Sequence, residues 1–327
     1  MLAARRRRPD NRPMKSIPVI IDCDPGVDDA VALFLAFASP ELDIRAITTV
    51  GGNVPADKTA RNGRLLRQIA GRGAEPPVHG GAAQPLERRL DIADHFHGQE
   101  GLGYLEAEEP AEPLDPLPSA QAIVRHVMQA EPGALTLAIT GPMTNVALAF
   151  REEPSLASRL ERIVAMGGSR SEGGNITASA EYNIWADPEA AHEVLSADVE
   201  VVMLGLDVTH QVRTPDAAIE TIRAIGTPAA KATASMLDYG QYTARKWREG
   251  QEGPQHDPCV IAYILKPDLF EVRPCDIKVE TVSELTRGHT QVEFRLPEGA
   301  QARHFWGVKA DRDGVFKLII DALRSQA

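Results

Sequence analysis

Cysteine is scarce. Three occur in 327 residues, Cys23, Cys259 and Cys275, and none has the close spacing of a zinc site or a disulfide framework. Their scarcity fits a reducing compartment, so the expected location is cytoplasmic. Long apolar runs are missing too. The longest strictly apolar stretch covers residues 30–38, well short of the roughly 20 residues that span a bilayer, and no membrane segment is expected. Positive charge is in deficit: 35 Lys and Arg stand against 46 Asp and Glu, for a net charge of −11. Nucleic-acid binding needs a basic footprint, which this balance argues against, while a small neutral ligand stays open. The densest basic run lies at the amino end, four arginines at 5–8 followed by Pro9, Asp10 and Asn11. No apolar stretch of signal-peptide type follows it. Residues 1–15 therefore read as a disordered basic tail, with Met14 as an alternative start. Residues 16–327 read as a single domain with no internal repeat and no interdomain linker.

What is present is a regular alternation. Apolar, β-branched runs at 17–21, 42–48, 135–139, 163–166 and 199–204 predict buried strands. Between and after them, 29–38, 55–70, 144–150, 188–195 and 315–323 carry helical spacing. Buried strands separated by helices imply an α/β fold, an open, mostly parallel, Rossmann-like sheet with helices on both faces. Shorter strands are expected at 277–282, 290–295 and 307–310. Two stretches, 80–118 and 167–187, read as long loops, which in a compact domain usually carry function. A helix over 228–247 leads into a glycine-bearing loop at 250–254.

The most informative segment is Asp22-Cys23-Asp24-Pro25-Gly26-Val27-Asp28-Asp29-Ala30. It places four carboxylates within eight residues, where the first strand passes into a helix. That edge is where open α/β sheets bind ligands. Helix capping accounts for one or two of the acids, since Asp28 and Asp29 sit where acids favour the helix dipole. It does not account for four, because like charges this close oppose their own ionisation unless a cation or donors compensate. All-oxygen ligands point to Ca²⁺ or Mg²⁺. The segment is not an EF-hand loop: Gly26 stands where a third acid belongs and Leu33 where the closing Glu belongs. A haloacid-dehalogenase-type phosphatase, with Asp22 as nucleophile and Asp24 as acid/base, is a weaker alternative. Gly26 departs from its usual Thr or Val, and the Asp28-Asp29 pair is foreign to it.

The whole string resembles the amino-terminal signature of the inosine–uridine-type nucleoside hydrolase family. Further matches follow in order: Gly51-Gly52-Asn53, His97-Gly98 with Gly101-Leu102-Gly103, Gly141-Pro142-Met143-Thr144-Asn145, Met166-Gly167-Gly168, Asn175, Glu181-Tyr182-Asn183 and His256-Asp257-Pro258. The resemblance spans roughly residues 17–325. It implies a Ca²⁺ site formed by Asp24, Asp29, the backbone carbonyl of Thr144, and Asp257. Apart from the resemblance, Thr144 and Asp257 also read as ordinary helix starts.

The implied reaction is hydrolysis of the N-glycosidic bond of a ribonucleoside to free base and ribose, in nucleoside salvage. The sugar becomes oxocarbenium-like as the bond breaks. By resemblance, Asp24 takes the proton of a Ca²⁺-held water. Asp28 holds ribose hydroxyls with Asn53, Asn175, Glu181 and Asn183, and Met166 lines the same site. Amides and carboxylates suit a polyol, although Asn175 and Asn183 equally suit turns and Glu181 a solvated surface. His256 is the leading general acid for the departing base, because an imidazole titrates near neutrality. His97 is a second candidate, near the base or the ribose. Tyr242 and Arg248, with Tyr239, Arg245 and Trp247, could form a lid over the base or simply pack. The family implies a homodimer or homotetramer and a small-molecule partner, with no nucleic acid and no membrane. A non-catalytic Ca²⁺-dependent nucleoside or ribose binder is the alternative function.

Overall fold

The computed structural model of the protein describes residues 16–106, 108–247 and 252–326. Among these residues nine strands form one sheet: β1 (Ile17–Cys23), β2 (Leu42–Thr49), β3 (Val78–His79), β4 (Thr136–Ile139), β5 (Arg162–Met166), β6 (Val201–Leu204), β7 (Phe270–Val279), β8 (Thr290–Glu293) and β9 (His304–Ala310). Their order is β3-β2-β1-β4-β5-β6-β9-β7-β8. Every pairing from β3 to β9 is parallel, and β7 runs antiparallel to both β9 and β8. The order turns back at β1, whose neighbours are β2 and β4. Such a reversal opens a crevice beyond the carboxyl ends of the strands.

The central strands β4, β5 and β6 are almost entirely buried because helices cover both faces. One face carries the helices Val27–Phe37, Pro228–Trp247, Pro258–Leu265 and Arg312–Ser325, whose apolar residues merge into one core with Val164 and Val202. The other carries Ser119–Gln129, Thr144–Glu152 and Pro188–Ser196, packed with Ile163, Val201 and Trp306. Val27–Phe37 is buried along nearly its whole length, as expected of a helix apolar on all sides. No described helix is long and apolar enough to cross a membrane.

Two expectations change. The strand expected at 277–282 begins at Phe270 and ends at Val279. Its first half is half-exposed and carries Glu271, Arg273 and Pro274, so it lacks the continuous apolar run of a buried parallel strand. The stretch 80–118 is largely irregular, as expected, and adds one short helix, Asp94–His97. The 1–15 tail lies outside the described residues.

Candidate active site

The carboxyl ends of β1, β4, β5 and β6 deliver Asp24, Thr140, Met166 and Gly205 to the same edge of the sheet. Above that edge lies a cleft of about 950 Å³, measured out to its open mouth. Its lining includes Asp28, Asn53, His97, Thr140, Met166, Asn175, Glu181, Asn183, His256 and Asp257. Residues from seven separate stretches of chain thus meet at one place.

The floor is acidic. One carboxylate oxygen from each of Asp28, Asp29 and Asp257 lies within 4.8 Å of the other two. Asp24 sits beside them, 1% exposed. Its Oδ2 accepts from the Asn53 backbone N–H at 2.8 Å, while its Oδ1 is buried with no hydrogen-bond partner among the described residues. Two glycines make room for this side chain. A Cβ on Gly52 would come within 2.0 Å of Asp24 Oδ2, and one on Gly141 within 2.7 Å of Oδ1. Asp29 is held on three sides, by the Gly26 backbone N–H at 2.9 Å, Asn53 Nδ2 at 3.1 Å and the Thr140 hydroxyl at 2.7 Å.

The electrostatics follow from this crowding. Burial and then the neighbouring Asp29 push the Asp24 carboxyl well above the usual range. Burial and then Asp28 raise Asp29 to about 6. Burial and then Asp28 and Asp29 raise Asp257 well above the usual range. Acids that raise one another in this way are stabilised by a shared cation. An unpartnered buried oxygen beside three convergent ones suits a hard ion with oxygen ligands. The residues present fit a metal ion.

One wall is rich in amides. Asn183 Nδ2 donates to the Thr140 carbonyl at 2.8 Å, and Asn175 Oδ1 accepts from the Tyr182 backbone N–H at 2.8 Å. Glu181 is 2% exposed and accepts from the backbone N–H groups of Gly168, Asn183 and Ile184. Burial nevertheless raises its carboxyl to about 7. All three residues line the cleft; Asn175 and Glu181 also accept from local backbone N–H groups, and Glu181 is buried rather than solvated.

Three histidines line the cleft, His95, His97 and His256, and the last two are engaged through Nδ1. His97 Nδ1 accepts from the Val27 backbone N–H at 3.1 Å, which caps the first turn of Val27–Phe37. A backbone N–H can only donate, so Nδ1 carries no proton and Nε2 carries the ring's hydrogen. Burial holds the His97 imidazole down to about 4, and it is neutral at physiological pH. His256 Nδ1 lies 2.8 Å from the Thr209 hydroxyl, a partner that can either donate or accept.

Thr144, Tyr242 and Arg248, all expected at the site, lie outside the cleft lining or outside the described residues. Thr144 does not line the cleft; its hydroxyl donates to Asp187 Oδ2 at 2.7 Å, inside the first turn of Thr144–Glu152. The threonine at the cleft is Thr140, four residues earlier at the end of β4. Tyr242 also lies outside the lining. It is 51% exposed and tilts against Tyr104 and Tyr239 on the outer side of its helix. Arg248 lies outside the described residues. The sequence reading missed Thr140, His95, Phe96, Ile176 and Gln255, all in the cleft lining. Adjacency to His97 and His256 was the only available signal for His95, Phe96 and Gln255.

Comparison with known proteins agrees with this architecture. The family model for inosine-uridine preferring nucleoside hydrolase matches residues 19–317. A pyrimidine-specific ribonucleoside hydrolase, RihA, from Photobacterium profundum is 46% identical over 280 residues, covering 85% of this chain and 89% of the relative. RihA of Shewanella baltica is 43% identical over 307 residues, covering 94% and 96%. Among solved structures, a plant nucleoside hydrolase, PpNRh1, superposes with a TM-score of 0.88 at 29% identity, covering 95% of this chain and 99% of that one. A purine-preferring ribonucleoside hydrolase from Gardnerella vaginalis gives a TM-score of 0.88 at 27% identity, covering 94% and 99%.

Proposed function

Because this chain belongs to the inosine–uridine-preferring nucleoside hydrolase family and is a hydrolase of N-glycosyl bonds, we propose that it cleaves pyrimidine ribonucleosides to base and ribose with Ca²⁺ at its acidic floor. The observation that carries the metal reading is Asp24 Oδ1, buried and unpartnered among the described residues beside three convergent carboxylates. The pyrimidine preference is supported by the relatives named pyrimidine-specific at 46% and 43% identity. Asp24, Asp28, Asp29 and Asp257 would hold the ion. Thr140 takes the place expected of Thr144, because it lines the cleft and its hydroxyl is on Asp29. When bound, Ca²⁺ supplies positive charge that orients water and ribose hydroxyls and makes the water more acidic.

The chain's own residues do the rest. Asp24, fixed through Oδ2 by the Asn53 amide, presents Oδ1 to take a proton from the attacking water. The water oxygen bonds to the anomeric carbon as that carbon's bond to the base nitrogen breaks. The floor's negative charge stabilises the oxocarbenium-like sugar between these events. Asp28, Asn53, Asn175, Glu181 and Asn183 hold ribose hydroxyls and so fix the sugar's pose. His97, with its Nε2 hydrogen, donates to an oxygen of the substrate. His256 delivers a proton to the departing base.

The test is release of free base from uridine, cytidine and inosine, with and without a chelator. Release from the pyrimidine nucleosides that chelation abolishes and Ca²⁺ restores supports the reading. Tight nucleoside binding with no base released would replace it with a binding protein.

A further inference from the structure

Threonine inside a helix usually turns its hydroxyl back onto the carbonyl one turn earlier. This protein does so repeatedly: Thr221 donates to Ala217 O at 2.8 Å and Thr233 to Ala229 O at 2.8 Å. Thr209 closes the helix Leu206–Thr209 and is fully buried. Its hydroxyl bonds instead to His256 Nδ1, 47 residues away in sequence, at 2.8 Å. A hydroxyl diverted from a local partner to a distant ring is doing something that helix geometry does not require.

The two segments are also fastened to each other by main chain. Gln255 N donates to Val212 O at 2.8 Å and Thr214 N to Gly253 O at 2.9 Å, around an antiparallel bridge between Arg213 and Pro254. The Gln255 side chain adds a bond to the Thr214 hydroxyl at 3.2 Å. The loop carrying His256 is therefore clamped to the stretch that follows Thr209, and the backbone is already placed. The ring itself tilts against His210, with centroids 5.7 Å apart, and the Thr209 hydroxyl meets it at Nδ1, on the broad terminal torsion of a histidine.

We propose that Thr209 is a positioning residue for the reaction: its hydroxyl grips Nδ1 of His256 and presents the ring's Nε2 edge to the cleft. The inference rests on the reading of His256 as proton donor to the departing base. His97 offers the contrast within the same cleft. Its Nδ1 is fixed by a backbone N–H, which dictates a single tautomer. Thr209 fixes an orientation without dictating a tautomer, because a hydroxyl rotates to donate or accept. The role also makes a substrate prediction. A residue that acts only through His256 matters where the leaving base needs a proton, and not where the leaving group departs unaided.

The experiment compares Thr209→Val, which keeps the shape and removes the hydroxyl, with Thr209→Ser, which keeps the hydroxyl. Each is assayed on uridine and on p-nitrophenyl riboside, alone and in a His256→Ala background. Thr209→Val is expected to lower kcat for uridine about ten- to hundredfold, with KM and aryl riboside turnover held within about twofold. Thr209→Ser should recover most of the loss, and Thr209→Val should add nothing once His256 is gone. Equal losses on both substrates, or a full further loss in the His256→Ala background, would overturn the proposal. Should His256→Ala itself cost both substrates alike, the reading of His256 fails instead. The contact is then judged by ¹⁵N spectroscopy of His256: a Thr209→Val shift at Nδ1 upholds the grip, and an unchanged resonance removes it.

Discussion

The floor and the walls of the cleft are built on opposite principles. On the floor, Asp24, Asp28, Asp29 and Asp257 are packed so closely that burial raises each carboxyl, with repulsion from neighbouring acids adding to it at Asp24, Asp29 and Asp257. On the walls, His97 and His256 are each satisfied at Nδ1 by a partner from elsewhere in the chain. The floor is incomplete without an added charge, whereas the walls are set before any ligand arrives. Such a contrast separates what must be supplied from what is preorganised, and preorganised groups cost no rearrangement at the moment of reaction.

The largest effect should come from the floor. Asp24→Ala is expected to lower kcat by about 10³-fold, with circular dichroism and Tm close to the parent. A loss of only a few fold would make the floor structural and erase the contrast. His256→Ala is the next test: about 10²-fold on uridine and little on an aryl riboside, measured by steady-state kinetics. Equal losses on both would move His256 from proton donor to packing.

Stability should distinguish the two regions as well. A carboxyl whose folded-state pKa is raised binds its proton more tightly when folded. Its contribution is complete below the unfolded value and is lost as pH rises through the folded value. With Asp29 raised to about 6, that loss falls between about pH 4 and pH 6. Chelated protein should therefore melt lower at pH 8 than at pH 5 by about 3 °C or more, and excess Ca²⁺ should narrow the gap. A chelated Tm that rises over this range would show that the floor is not strained by its own charge.

His97 should show the reverse dependence. Its imidazole, held down to about 4, stays neutral at pH 6, and ¹⁵N spectra should show Nε2 protonated and Nδ1 bare. Removing the ring with His97→Ala leaves the Val27 N–H uncapped, at a cost of about 1 kcal/mol, read by urea denaturation. The smallest effect is expected from Tyr242→Ala. Tyr242 is 51% exposed and outside the cleft lining, so kcat/KM for uridine should change by no more than about twofold. A larger drop would bring the outer tyrosine cluster into the site.

How much of this was legible in the sequence differs from residue to residue. The parallel strands announced themselves because both of their faces are buried and their runs are continuously apolar. The half-exposed start of β7, with Pro274 in it, carried no such signal. Asp24, Asp28 and Asp29 were visible because they are neighbours in the chain and their shared charge needs an explanation. Thr140 and Thr144 flank the same Gly-Pro turn. Local sequence marks both as able to cap a helix or turn a carbonyl outward, and only the path of the turn decides which one meets the cleft. Tyr242 lies on a helix whose periodicity was plain, but which face of it looks inward depends on what packs beside it. Thr209 lies outside every motif quoted from the sequence.

Sequence by itself determined the order of strands and helices and the charge gathered at the end of β1, because those properties depend on residues near one another in the chain. The tertiary structure alone decided which oxygen of Asp24 lacks a partner among the described residues, which threonine lines the cleft and which ring nitrogen of His97 and His256 is engaged. Each of those outcomes depends on a hydrogen bond, or the lack of one, between groups brought together from distant parts of the chain: 70 residues apart for Val27 and His97, and 47 for Thr209 and His256. No local pattern encodes a contact across such a distance.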